Sequence, residues 1–299
     1  MTKSERFKGC IVGGAIGDAF GSGYENQVKE KEGVVYLYGK PKAEEAKWRI
    51  TDDTQLTLAT IEVMVENKSI NPEILAKHFL KYYKQRKLRG IGASTLKALR
   101  ELEIGVHWSR VGRKGEYAAG NGAAMRIAPL AFRESITYSQ IRDISIITHN
   151  NDEAYTGAKS IVIAIREILS GSWNGATNLI ELIIPQLPDT RVRDRLIKIK
   201  YMKNLQEIGS LGNDGYVVNS IPLAIAAANQ VNKIGLEEMY LQLIDIGGDT
   251  DTNCSIAGQI AGTLIGQEAI PKNLKEKLQQ LKEYQWIEQT INKFIKNDS

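Results

Sequence analysis

Cysteine and long apolar runs are both scarce in this chain. It contains two cysteines among 299 residues, and neither has the spacing of a disulfide framework. We therefore expect Cys10 and Cys254 to be free thiols in a reducing compartment. The longest apolar stretch, residues 161–169, is interrupted by Arg166 and Glu167 and is too short to span a bilayer. No secretory-type signal opens the sequence, so we expect a cytoplasmic protein without a membrane role.

A strong charge of either sign is missing as well. The formal net charge is +4, from 39 basic and 35 acidic residues, and the lysines are spread along the chain. So weak and dispersed an excess does not favour a direct nucleic-acid partner. About 42% of the residues are hydrophobic and 25% are charged, which is the composition of an ordinary globular protein with a sizeable core.

Uncompensated acids occur in two clusters at opposite ends of the chain. Residues 246–253 read IGGDTDTN, and no lysine or arginine lies between Leu241 and Pro271. Residues 51–54 read TDDT and open another helix-like run. Length alone allows about two domains. If the two clusters share a site, however, no cut between them leaves that site intact, so we expect a single domain over residues 1–299.

Two interpretations of these clusters remain open from the pattern alone. Carboxylates at helix starts commonly serve as caps and meet the positive end of the helix dipole. Taken together, however, four acids without cationic partners repel one another unless they hold a cation. Carboxylate and hydroxyl oxygens favour Mg²⁺ or Mn²⁺ over zinc, and four carboxylates suit two ions. The candidate metal ligands are Thr51, Asp52, Asp53, Asp249, Asp251 and Thr252.

Glycines at a four-residue spacing indicate closely packed helices. They occur at positions 9, 13, 17 and 21, and a second set follows at 258, 262 and 266. On helices, such glycines form a stripe along which a neighbouring helix can approach closely. The first and last core helices are therefore expected to cross. Apolar periodicity elsewhere is helical, so the predicted fold is all-α, with about a dozen helices.

Three further features have both a structural and a functional interpretation. Glu25 lies in a loop rich in glycine and serine, where a lone acid usually faces solvent. Gly120, Asn121 and Gly122 form a turn before a helix-like run, where backbone N–H groups can cradle an anion. His149 lies between two helices, where a histidine is commonly structural. Residue types and spacing alone do not decide between the two interpretations.

Taken together, these residues resemble the ADP-ribosylglycohydrolase family over roughly residues 7–266. Six motifs occur in the family's order. They are GGAIGDAFG at 13–21 with Glu25, TDDT at 51–54, GNGAAMRIAP at 120–129, TH at 148–149, GYV at 215–217 and GGDTDT at 247–252. The resemblance implies a compact orthogonal bundle of helices with two Mg²⁺ or Mn²⁺ ions at the floor of a cleft.

The resemblance also implies a reaction and roles for individual residues. The reaction is hydrolysis of the glycosidic bond between C1″ of ADP-ribose and an acceptor, which reverses ADP-ribosylation. The substrate would be an ADP-ribose conjugate, including an ADP-ribosylated protein. Catalytic roles are implied for Glu25, Asp53, Asp249 and Asp251, of which the three aspartates are also metal ligands. Substrate-binding roles are implied for Gly120, Asn121, Gly122, His149, Gly215 and Tyr216.

Two departures from the family pattern concern the acceptor. Bacterial relatives that act on ADP-ribosyl-arginine carry Asp-Ile-Gly-Asn where this chain has residues 90–93, GIGA. The pair Asn213-Asp214 also replaces the usual Thr-Ser. A missing carboxylate weakens the expectation of an arginine-specific mechanism, and we expect an O-linked or small-molecule conjugate to be preferred. A catalytically silent ADP-ribose-binding or crystallin-like relative and a hydrolase of another ribosyl nucleotide remain alternatives.

Overall fold

Helices account for all the regular secondary structure in the part of the chain that the structure, a computed structural model, describes: residues 1–25, 47–67 and 70–298. The α-helices are α1 (Lys3–Gly21), α2 (Asp52–Glu66), α3 (Pro72–Lys84), α4 (Ala93–Glu103), α5 (Trp108–Val111), α6 (Tyr138–Ile146), α7 (Asp152–Leu169), α8 (Leu179–Ile183), α9 (Arg191–Ile199), α10 (Leu205–Gly209), α11 (Val217–Ala228), α12 (Val231–Ile234), α13 (Leu236–Ile246), α14 (Thr250–Ile265), α15 (Lys272–Gln279) and α16 (Tyr284–Asp298). Short 3-10 turns and two isolated β-bridges occur between them. The predicted all-α class is confirmed.

Helices α1 and α14 cross closely along their glycine stripes. An added Cβ atom at Gly13 would lie 2.4 Å from the carbonyl oxygen of Gly258, and one at Gly17 would lie 2.2 Å from that of Cys254. Both distances are shorter than any tolerated contact, so only glycine fits. The Tyr240 hydroxyl donates to the Gly13 carbonyl at 2.7 Å and ties α13 to the same crossing. As predicted, this crossing brings the two ends of the chain together.

Aliphatic side chains dominate two further helices that pack beside this crossing. Helices α7 and α11 are buried along most of their length and pack against each other and against α14. Their buried residues are mainly isoleucine, valine and alanine, which fit close helix–helix contacts. None of the described helices combines the length and apolar character that crossing a bilayer requires.

Side-chain caps and turns set the boundaries of several helices. Asn71 caps α3, with Pro72 at its first position. Helix α7 is capped by Asn151, because the Asn151 side chain accepts the N–H groups of Glu153 and Ala154. Residues 272–298 form two helices, α15 and α16, since the chain turns at 280–283.

Candidate active-site cleft

A cleft of about 430 Å³ opens where α2 and α14 begin. Thr51 caps α2, and its side-chain oxygen accepts the N–H of Asp53. Gly247 and Gly248 both adopt positive φ angles, 79° and 80°, and turn the chain from α13 into α14. This sharp reversal aims Asp249 and Asp251 into the cleft. The GG-D-T-D pattern therefore has a conformational reason as well as a chemical one.

The two acid clusters meet directly. The Thr252 hydroxyl donates to Asp53 Oδ2 at 3.1 Å, across 199 residues of sequence, and the Thr51 side-chain oxygen lies 3.2 Å from the same oxygen. The other oxygen, Asp53 Oδ1, is buried and has no hydrogen-bond partner among the described residues. A buried carboxylate oxygen left without a donor is costly unless a cation occupies the space beside it.

Asp18 stands behind this meeting point, and the sequence patterns did not single it out as a site residue. Fully buried on α1, it accepts hydrogen bonds from the backbone N–H and the hydroxyl of both Thr51 and Thr54. Even so, burial raises the pKa of Asp18 to about 6. These contacts fix the first turn of α2 and orient Asp53. An acid within a glycine-striped, otherwise apolar helix was the available signal.

Burial and mutual repulsion raise the pKa values of the cleft carboxyls. Burial, with Asp18 adding its charge, raises the pKa of Asp52 to about 7. Burial and then Asp249 raise the pKa of Asp251 to about 10. For Asp53, burial and then Asp251 raise the pKa well above its ordinary value. The protein thus groups several carboxyls so closely that a bound cation would favour their ionised forms.

The carboxylates fall into two groups that could each hold a cation. Oxygens of Asp18, Asp53 and Asp251 lie within 4.8 Å of one another, and so do those of Glu25, Asp249 and Asp251. Asp251 is common to both groups. These hard oxygen ligands, together with the unpaired Asp53 Oδ1, fit a hard divalent cation. The acid clusters can therefore bind metal, as the sequence indicated.

Glycines at the predicted turn leave room for a histidine. A Cβ at Gly120 would lie 3.0 Å from His149 Nε2, and one at Gly122 would lie 2.8 Å from His149 Cε1. Burial lowers the pKa of His149 to about 3, and the nearby Arg126 adds to this shift. His149 is therefore neutral, with its Nδ1 atom 2.8 Å from the Thr148 hydroxyl. Gly120, Gly122 and His149 all line the cleft.

The turn at 120–122 is joined to the second predicted binding segment. The Asn121 N–H donates to the Gly215 carbonyl at 3.0 Å, and Asn121 Nδ2 donates to Asp249 Oδ2 at 2.7 Å. Gly215 lines the cleft, but Tyr216 does not. Instead, the Tyr216 hydroxyl lies 3.4 Å from a guanidinium nitrogen of Arg191 at the outer rim. Among the other predicted residues, Thr51 lies behind the lining and the remainder line the cleft.

The N-terminus of α4 is a second feature that the sequence patterns missed. Gly92 precedes the helix without a side-chain cap, the first turn contains no acid, and Ser94 and Thr95 line the cleft beside it. Unpaired N–H groups at such a helix start attract anions. Gly90, just before, has φ 78°, and a Cβ there would lie 3.3 Å from Asp52 Oδ1.

Comparison with known proteins identifies the family. The family description ADP-ribosylglycohydrolase matches residues 1–299. The chain is 24% identical to the ADP-ribosylhydrolase ARH3 of Gallus gallus, over 96% of this chain and 92% of that protein. It is 28% identical to the ADP-ribosylarginine hydrolase Tri1 of Pseudomonas putida (strain GB-1), over 92% and 74% respectively. A solved structure titled ADP-ribosylglycohydrolase-related protein complex matches 99% of both chains, with a TM-score of 0.73 and 26% identity. The chain belongs to the ADP-ribosylglycohydrolase family.

Proposed function

We propose that this protein is a metal-dependent hydrolase that cleaves the glycosidic bond between C1″ of ADP-ribose and an acceptor. One observation carries the proposal. Two acid clusters separated by about 200 residues meet at the Asp53–Thr252 hydrogen bond and leave a buried carboxylate oxygen unpaired, within a cleft of nucleotide size. Family membership supports the same reaction class. The single domain over residues 1–299 and the cytoplasmic location remain predictions.

The proposed ligands for two Mg²⁺ or Mn²⁺ ions are Thr51, Asp52, Asp53, Asp249, Asp251 and Thr252. When bound, such ions fix the hydroxyls of the distal ribose and stabilise charge that develops during hydrolysis. Asp18 is not proposed as a ligand, because its oxygens already accept hydrogen bonds from Thr51 and Thr54. It holds the ligands in position, as residues behind a metal site commonly do.

Glu25 is the proposed acid–base residue, and it acts alongside Asp53, Asp249 and Asp251. Burial raises the pKa of Glu25, the charge of Asp249 adds to this effect, and Arg49 opposes it. A raised pKa lets the Glu25 carboxyl carry a proton closer to neutral pH, where it can pass the proton to a departing acceptor atom. Its place on the cleft lining puts it within reach of a substrate held there.

The proposed diphosphate site consists of backbone amides rather than side-chain cations. No lysine or arginine is among the described residues that line the cleft, whereas five aspartates and Glu25 are. An anionic diphosphate therefore depends on bound cations and on N–H groups at the start of α4 and at the 120–122 turn. Neutral His149, with Gly215, would shape the pocket for the nucleotide without adding charge, and Tyr216 would contribute from the rim.

The acceptor preference follows from the segment before α4. An aspartate at position 90 would need the left-handed backbone conformation and would place its carboxylate against that of Asp52. Asp18 already accepts hydrogen bonds from Thr51 and Thr54, so it cannot replace the carboxylate that is absent at position 90. Asp214 at the rim is the acid that remains. We therefore expect an O-linked or small-molecule conjugate to be preferred over ADP-ribosyl-arginine. Equal or better kcat/KM on a matched arginine peptide than on a serine peptide would contradict this expectation.

The central experiment measures release of ADP-ribose from a panel of defined conjugates, with Mg²⁺, with Mn²⁺ and with EDTA. Metal-dependent release from at least one linkage is expected. Tight ADP-ribose binding without release from any linkage would instead indicate a silent, binding-only relative. Release of ribose from other nucleosides or nucleotides, but not from ADP-ribose conjugates, would indicate a different hydrolase.

A further inference from the structure

A basic segment of the chain runs away from the rim of the cleft. Residues 191–203 contain six basic residues and one acid, a net charge of +5, whereas the whole chain carries +4. The remaining 286 residues are therefore slightly acidic overall. The basic residues are Arg191, Arg193, Arg195, Lys198, Lys200 and Lys203.

Helix α9 orders three of these cations into a stripe. Its buried side consists of Val192, Leu196 and Ile199, which face the core. Arg191, Arg195 and Lys198 follow one another at spacings of four and three, so they lie along one side of the helix. They extend over about 10 Å, the rise of seven helical residues.

The stripe adjoins the loop that forms the cleft rim. A guanidinium nitrogen of Arg191 lies 3.4 Å from the Tyr216 hydroxyl, and Arg195 donates to the Leu211 carbonyl at 2.9 Å. Both partners flank the segment that supplies Asp214 and Gly215 to the cleft. The rim is thus braced by two cations of the stripe.

Charge compensation is incomplete beyond the rim. Arg191 lies 3.7 Å from Glu116, so its charge is shared. Arg195 has no acidic partner within ion-pair distance among the described residues, and the same holds for Lys198. Further along, Lys200, Lys203 and Lys233 line a depression of about 430 Å³ that has no acid among its described lining residues, next to the exposed Tyr201.

We propose that this basic strip, Arg195, Lys198, Lys200 and Lys203, binds an acidic stretch of the protein that carries the ADP-ribose. The proposal rests on the proposed function. The cleft lining is acidic and repels such a stretch, so an acidic partner is drawn to the strip beside the rim. An extended peptide rises about 3.3 Å per residue, so three or four acidic residues span the part of this surface on α9, from Arg191 to Lys198.

The test compares two ADP-ribosylated peptides with the same modified residue, one with an acidic flank of four residues and one with glutamine in its place. For the wild-type protein, we expect kcat/KM about tenfold higher on the acidic peptide at low salt, mainly through KM. The difference should shrink at 0.5 M NaCl, because surface charges are screened.

Two variants locate the effect. Arg195→Glu/Lys198→Glu should abolish the preference for the acidic peptide. Lys198→Glu alone, which breaks no hydrogen bond in the structure, should reduce it. The matched control Lys293→Glu/Lys296→Glu makes the same kind of charge change on exposed positions of α16 and should leave the preference intact.

Activity on a small ADP-ribosyl amino acid separates this inference from the proposed function. If all variants cleave the small substrate normally and the wild-type protein shows no flank preference, the strip inference is wrong while the hydrolase proposal stands. Inhibition by single-stranded oligonucleotide that exceeds inhibition by a free acidic peptide would also overturn it, in favour of a nucleic-acid site. If the wild-type protein cleaves neither the small substrate nor either peptide, the proposed function itself fails.

Discussion

Two carboxylate environments in this protein differ in what completes them. In the cleft, Asp53 lies near several other acids, and one of its buried oxygens has no partner in the part of the chain that the structure describes. Between α2, α3 and α16, Glu62 is also partly buried, but it accepts hydrogen bonds from Tyr82 at 2.5 Å and Trp286 at 2.8 Å and lies 2.8 Å from His78 Nε2. One environment leaves a carboxylate oxygen that could accept a ligand, whereas the carboxylate of the other already has three partners.

The pKa values of the two regions diverge for this reason. Burial acts to raise the pKa of Glu62, but the hydrogen bonds from His78, Tyr82 and Trp286 outweigh it and lower the pKa to about 2. Burial raises the pKa of Asp52 instead, and the charge of Asp18 adds to this rise, while the opposing effects of a backbone N–H and of Arg126 are smaller. Partners, and not burial alone, therefore distinguish a structural carboxylate from a candidate metal ligand.

The largest effect is expected from Asp249→Asn. Loss of one proposed ligand should lower kcat/KM by about 10³-fold or more, since metal ions supply several kcal/mol of charge stabilisation. The same substitution should remove most of the rise in melting temperature on adding Mn²⁺, because binding to the native state stabilises it by mass action. Calorimetry of turnover measures the loss of kcat/KM, and scanning fluorimetry measures the change in melting temperature. The control Asp189→Asn, at a highly exposed surface position, should change neither.

Glu25→Gln should separate turnover from binding. We expect the rate to fall by about 10²-fold, the usual worth of a positioned acid or base. Affinity for ADP-ribose should change by less than about tenfold, or 1.4 kcal/mol. Single-turnover kinetics and calorimetry give the two quantities, with Glu116→Gln at the rim as the control. Lost binding with a normal rate on bound substrate would refute the assigned role.

Glu62→Ala should lower stability and leave activity intact, which is the reverse of the effect expected for the cleft variants. It leaves the donors of His78, Tyr82 and Trp286 without their acceptor, at a cost of about 2 kcal/mol of stability. Metal-dependent activity should remain near the wild-type level at temperatures where the protein is folded. Urea unfolding measures the loss, and Glu66→Ala, an exposed neighbour on the same helix, is the control. A large loss of activity in the folded variant would show that the two regions are coupled.

The sequence predicted the local features of the site better than its long-range contacts. Acid clusters, helix caps and the glycine stripes are local patterns, and the structure bears out the close helix crossing that the stripes implied. The bonds from Thr51 and Thr54 to Asp18 join residues more than 30 positions apart, so no spacing pattern encodes them. The uncapped N-terminus of α4 was missed for a related reason. It can attract an anion into the cleft only because it faces the cleft, and a local sequence pattern does not show that.

The substrate-binding role of Tyr216 stays a prediction. Its position in the sequence matches the family pattern, yet its hydroxyl lies beside Arg191 at the outer rim rather than in the cleft lining. The Glu62 cluster was also not predicted. Its four side chains come from three helices, and their spacing resembles that of an ordinary amphipathic surface.

The smallest expected effect is a difference in pH dependence between the two regions. The folded-state pKa of Glu62 lies below its ordinary value of 4.5, so its contribution to stability is present above pH 4.5 and is lost as pH falls toward 2. Asp18 and Asp52 have folded-state pKa values raised to about 6 and about 7. The metal-free native state therefore binds more protons than the unfolded state between about pH 4 and 7, and its stability falls as pH rises through that range.

Melting temperature should accordingly be highest near pH 5 without metal and should fall by about 3 °C or more by pH 8, given roughly 2–4 °C per kcal/mol for a chain of this size. Saturating Mn²⁺ should reduce or reverse the decline, because the cation favours the ionised carboxylates. Asp53→Asn should flatten the metal-free profile above pH 5 by removing one of the repelling acids. Glu62→Gln should lower the melting temperature above pH 4.5 and flatten the profile below that pH, where the wild-type contribution of Glu62 is already being lost. A metal-free profile that rises steadily from pH 5 to 8 would mean that the cleft acids are already neutralised by protein groups, and the contrast between the two regions would then be lost.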